Sequence, residues 1–176
     1  MTDHLNMIEL NEIESVVSFS NHLLSSSAFF ELFEGGMSLV EEAANYLDVE
    51  GREVSKTLER QASLAYATES MRLTTRLMQL ASWLLLQRAV SEGEMTLEQA
   101  QDEKKKVKLK KQGTLTSGEK WDHLPDKLKD MILRSIRLQE QVMHFDEALR
   151  SSQAVEVQEV NPLAAHMNLL TDAFAK

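Results

Sequence analysis

The chain has 176 residues, 43% of them hydrophobic, which suits one domain with a real core plus flexible ends. It contains no cysteine, which excludes disulfides, thiolate zinc sites and a cysteine nucleophile, and fits a reducing compartment. A net charge of −9 argues against general nucleic-acid binding.

Six Gly, two Pro and 6% aromatic residues, among many Leu, Ala, Met, Glu, Gln and Lys, point to an all-α fold. Residues 1–26 read as an N-terminal extension without the basic and apolar regions of a signal peptide. Ser27 reads as the cap of a first helix running from about Ala28 to Asp48. Within it Phe30, Phe33, Met37, Val40, Ala44 and Leu47 recur at spacings of three and four, one stripe for packing on another helix. Gly35 and Gly36 sit inside this helix, each costing about 1 kcal/mol relative to Ala, which implies a close neighbour or a kink. Gly51 marks the turn that follows.

A long helix is expected from about Arg52 to Glu92, with no internal Gly or Pro. It carries three apolar strips: Leu64, Ala67, Met71, Thr74, Met78, Ala81 and Leu85; then Tyr66, Leu73, Leu77, Leu80 and Leu84; then Trp83, Leu86 and Val90. A three-helix monomer covers about two of them, so the third strip suggests self-association or a partner. Trp83, Leu86 and Val90, followed by Met71 and Met78, are the expected dimer contacts. The run Leu77 to Val90 is too short and too polar to span a bilayer, so a soluble cytoplasmic protein without membrane insertion is expected.

Gly93 ends the long helix, and Thr96-Leu97-Glu98-Gln99 has the form of a capping box. Residues 104–121 read as an exposed Lys-rich connector that opens with KKKVKLKK at 104–111. A third helix starts near Pro125 and runs to about Arg150, with Leu128, Met131, Ser135, Leu138, Val142, Phe145 and Leu149 on one stripe. Residues 27–150 thus form a three-helix bundle with one long central helix, and 151–176 a C-terminal tail. In that tail Leu163, Met167, Leu170 and Phe174 make a short amphipathic segment.

No HExxH, phosphate-binding glycine loop or GxSxG occurs, and the five histidines are scattered. Glu140, His144 and Glu147 share a helical face, but no second motif completes a metal shell. No catalytic residue, cofactor site or metal site is therefore expected. Glu69, Arg72 and Arg76 interrupt the apolar middle of the long helix, either as a solvated strip with a weak ion pair or as a polar recognition strip. Lys104, Lys105 and Lys106 belong to a solvated connector or to an electrostatic dock for an acidic partner.

Three strings carry a resemblance to a known family: AYATESMRLTTRLMQLASWLLLQRAV from Ala65 to Val90, FFELFEGGMSLVEEAANYLDVEGR from Phe29 to Arg52, and LPDKLKDMILRSIRLQEQV from Leu124 to Val142. Over residues 27–150 the chain resembles the regulator of CtrA degradation (RcdA) family. That resemblance implies a dimerising three-helix bundle with a disordered tail, in an alphaproteobacterial cytoplasm, with recruitment to a cell pole. It implies an adaptor that links cargo, transcription regulators such as CtrA, to the ClpXP protease primed by a response-regulator protein, directly or through a cyclic-di-GMP-binding partner. The Lys-rich connector and the tail show no specific match to the family. Two other readings stand beside the adaptor: a polar or cell-cycle scaffold that binds regulators without delivering them, and a small helical metal- or ligand-binding enzyme.

Overall fold

A computed structural model of the chain describes residues 22–107, 109 and 117–158. Among them the regular structure is entirely helical: α1 Ser27–Asp48, α2 Glu50–Thr57, α3 Arg60–Ser91, α4 Leu97–Lys106, α5 Glu119–Asp122 and α6 Asp126–Gln158. The chain divides into two compact units, one spanning Leu24–His144 and the other including Phe145 onward. The first unit holds α1 to α5 and the opening turns of α6. The expectations for residues 1–21 and for the tail beyond residue 158 lie outside the described residues; residues 151–158 continue α6 rather than starting a tail.

Ser26, one residue before the expected cap, closes the start of α1: its Oγ accepts from the Phe29 backbone N–H at 3.3 Å. The same one-residue offset appears in the seam. Phe29, Gly36, Leu39, Ala43 and Tyr46 are buried, whereas Phe30 is exposed and Phe33, Met37 and Val40 only flank the contact. Hydropathy favours the larger residues, but small ones at the centre of a seam let a neighbouring helix come close. A Cβ on Gly36 would lie 2.5 Å from Leu84 Cδ1 in α3 and 3.5 Å from Leu138 Cδ2 in α6, so three helices converge there.

The expected single helix over residues 52–92 is two helices. The backbone becomes extended at Leu58 and Glu59 without Gly or Pro. Just before the break the Ser55 and Thr57 hydroxyls donate to the Arg52 and Val54 carbonyls, both at 2.8 Å. Such local bonds give the backbone an alternative to the helical ladder. Gly51 is not the turn, which falls at Val49, but a buried contact point in the first turn of α2. A Cβ there would lie 2.3 Å from Tyr66 Oη and 2.9 Å from the Tyr46 carbonyl oxygen.

The 32 residues of α3 make a rod about 48 Å long. Its core side carries Tyr66, Leu73, Leu77, Leu80, Trp83, Leu84 and Val90, all buried. From α6, Leu128, Met131, Ile132, Ser135, Leu138 and Val142 are buried, in agreement with the expected stripe. Arg134 of α6 pairs with Glu42 of α1, and Lys127 pairs with Glu50 of α2 while lying over the Tyr46 ring at 5.4 Å. Gly93, at φ +74°, stops α3. The Thr96 capping box is formed, with the Gln99 N–H donating to Thr96 Oγ1 at 3.2 Å and the Thr96 N–H donating to Gln99 Oε1 at 3.0 Å. This box opens α4, packed on α3 through the buried Ala100 and running to Lys106, so the expected connector at 104–121 is helical at its start, and again at residues 119–122, which form α5. Among the described residues no helix is long and apolar enough to cross a membrane.

Candidate interaction surface on the long helix

The covered and uncovered sides of α3 differ from the expected ones. Trp83 is wholly buried, edge-on to Phe29 of α1 with ring centroids 6.5 Å apart; Val90 is buried and Leu86 half-buried. The second and third apolar strips adjoin around the helix and sink together into the core, so Trp83 and Val90 serve packing rather than an exposed contact. The uncovered strip is the first. Leu64, Met71, Met78 and Leu85 are 72%, 71%, 66% and 50% exposed and recur every seven residues. Ala67 and Thr74 are exposed and Ala81 is half-buried between them, so large and small residues alternate along a ridge without a charge. Met71 and Met78 lie on this ridge; Leu64 and Leu85 complete it, and their spacing from the two methionines was the available signal.

The polar interruption of α3 is mostly internal. Glu69 and Arg76 are 2% and 1% exposed; Arg72 alone reaches solvent, with 42% of its side chain exposed. Arg72 Nη1 donates to Glu69 Oε1 at 2.6 Å. Arg76 Nη1 donates to Ser135 Oγ in α6 at 2.9 Å, and Ser135 donates onward to the Ile132 carbonyl at 2.7 Å. Burial lowers the Arg76 pKa; Glu69 opposes that shift and Arg72 reinforces it. Arg76 therefore ties α3 to α6, and Glu69 and Arg76 are buried rather than forming a surface strip with Arg72. Polar residues amid apolar ones look solvated in sequence, but their helical phase puts Glu69, Leu73, Arg76 and Leu80 on one buried face. Glu69 Oε2 is sealed from water and accepts no hydrogen bond, which costs on the order of 1–3 kcal/mol.

Arg72 and Glu69 line a cavity of about 490 Å³ together with Gln61, Leu64, Ala65 and Lys120, the last from α5. Lys105 and Lys106 lie on α4, where they pair with Asp102 and Glu103 at 2.7 and 2.6 Å, and Lys104 occupies the same last turn. The Lys105 pair lowers the Asp102 pKa and raises that of Lys105, chiefly through their hydrogen bond. The lysines are thus partly neutralised on a helix, at the end where cations interact favourably with the helix dipole. Glu140, His144 and Glu147 are on α6, and among the described residues no cluster of three His, Asp or Glu side chains could hold a metal ion.

A family model described as protein of unknown function, DUF1465, matches residues 20–174. Among solved structures the chain is similar to RcdA from Caulobacter crescentus CB15, at 50% sequence identity and a TM-score of 0.60, over 73% of this chain and 96% of that one. Comparison with the curated proteins gives no match.

Proposed function

The chain belongs to the RcdA-like family described as DUF1465, and from that premise we propose that it is a non-enzymatic adaptor for regulated proteolysis. The observation that carries this reading is the 50% identity to RcdA over nearly the whole of that chain. The reading assigns it the delivery of cargo, transcription regulators such as CtrA, to ClpXP primed by a response-regulator protein, with a cyclic-di-GMP-binding partner bridging some cargo. It places the protein in the cytoplasm, with recruitment to a cell pole. The adaptor raises the effective concentration of cargo at the protease, and ATP hydrolysis stays with the protease.

The exposed ridge of α3 supports self-association. Leu64 and Leu85 are equidistant from the centre of the ridge between Thr74 and Thr75, and so are Met71 and Met78. Two copies packed antiparallel about that centre would set Leu64 against Leu85 and Met71 against Met78, as a two-fold interface requires. The strip carries no charge, so packing there brings no like charges into direct contact. Arg72 and the end of α4 at Lys104, Lys105 and Lys106 are the proposed partner-facing cations; Glu69 and Arg76 act behind them as packing and positioning residues.

The test is the lifetime of purified cargo with ClpXP and the priming response regulator. Shortening that requires this protein is the expected result. An unchanged lifetime across cargoes, with the cyclic-di-GMP partner also present, would favour a scaffold that binds regulators without delivering them.

A further inference from the structure

We propose that the cavity between α3 and α5 captures the free carboxy-terminus of a partner polypeptide. Its size, about 490 Å³, falls in the range of roughly 300–1,000 Å³ usual for ligand clefts. Its lining carries two cations, Arg72 and Lys120, against one acid, Glu69. It is therefore positive in a chain whose net charge is −9. The molecule as a whole repels a single carboxylate far more weakly than a polyanion.

Arg72 Nη1 donates to one carboxylate oxygen of buried Glu69, which leaves the other N–H groups of the guanidinium to donate elsewhere. A guanidinium can donate to a carboxylate through two parallel bonds, and Lys120, exposed on α5, adds a second charge. Glu69 Oε2 supplies the specificity. It is buried, accepts nothing, and suits an N–H donor. A polypeptide end offers an anion with an amide N–H one residue behind it; a side-chain carboxylate carries no such donor at that spacing. The donor reaches Oε2 when the long, half-exposed Arg72 side chain changes rotamer. Ala65 forms an apolar wall for a small terminal side chain. The proposal extends the adaptor reading by naming the part of a partner that is held. Its assay contains no protease, so either can fail while the other stands.

Fluorescence anisotropy with the full chain and a labelled hexapeptide ending in valine is the test. The free-acid peptide should bind at least ten-fold more tightly than the same peptide amidated at its C-terminus. Lys120→Glu, at an exposed position, should lose at least ten-fold while keeping the wild-type circular dichroism melt. Glu69→Gln should narrow the gap between the free-acid peptide and an amidated peptide that carries an internal glutamate, if its melt is preserved. Equal binding of acid and amide, binding of neither, or full affinity in Lys120→Glu would overturn the proposal. So would equal binding of an amidated peptide that carries an internal glutamate, because side-chain carboxylates would then suffice.

Discussion

Gly35 and Gly36 are neighbours in sequence and opposites in environment. A Cβ on Gly35 meets nothing within 4 Å, whereas one on Gly36 meets Leu84 and Leu138. Gly35→Ala should stabilise the chain by about 0.5–1 kcal/mol through helix propensity. Gly36→Val should destabilise it by about 1–3 kcal/mol through overpacking. Urea denaturation of the two variants checks both signs, and destabilisation by Gly35→Ala would show that its face is covered. Tyr46 gives a residue-level pH test. Burial, then Tyr66 and Glu50, push its pKa up to about 12. The unfolded tyrosine ionises first, so this contribution is complete below pH 10 and is lost as the pH rises toward about 12. It amounts to no more than about 2 kcal/mol after solvent screening. Tyr46→Phe should flatten the fall in melting temperature between pH 9 and 11 relative to wild type; parallel curves would assign that fall to other groups.

At the scale of helices, periodicity located α1, α3 and α6, and the motif at Thr96 located α4. Periodicity did not settle which apolar strip of α3 is covered, because Trp83 and Met71 are alike in hydropathy and differ only in phase relative to α1 and α6. The break at Leu58 was hidden for another reason: hydroxyl back-bonding leaves no Gly or Pro signal. In sequence the polar cluster reads as a surface strip, solvated or partner-binding, because the partner of Arg76, Ser135, is 59 residues away. Trp83→Ala and Arg76→Ala therefore test core roles. Trp83→Ala should cost about 3–5 kcal/mol. Arg76→Ala should cost about 1–3 kcal/mol by leaving buried polar groups without this partner. Thermal melts read both, and a loss under about 0.5 kcal/mol in either would place that side chain at the surface.

On the scale of the molecule, α3 has two faces with different uses. One joins α1 and α6 in a core that includes Leu73, Leu80, Trp83 and Leu84. The other presents an uncharged, evenly spaced ridge on a strongly acidic chain, together with the cavity at Arg72 and the lysines at the end of α4. The family strings found in the sequence cover both faces, so they reveal kinship without separating packing residues from contact residues; only helical phase in the folded chain does that.

Light scattering of wild type and Met71→Lys/Met78→Lys at low micromolar concentration tests this division of the helix most directly. The expected masses are about twice 20.0 kDa for wild type and about 20.0 kDa for the variant, with the helical circular dichroism spectrum kept in both. A wild-type mass of 20.0 kDa, or a variant that keeps the doubled mass, would contradict the assignment of the ridge to a second copy of the chain.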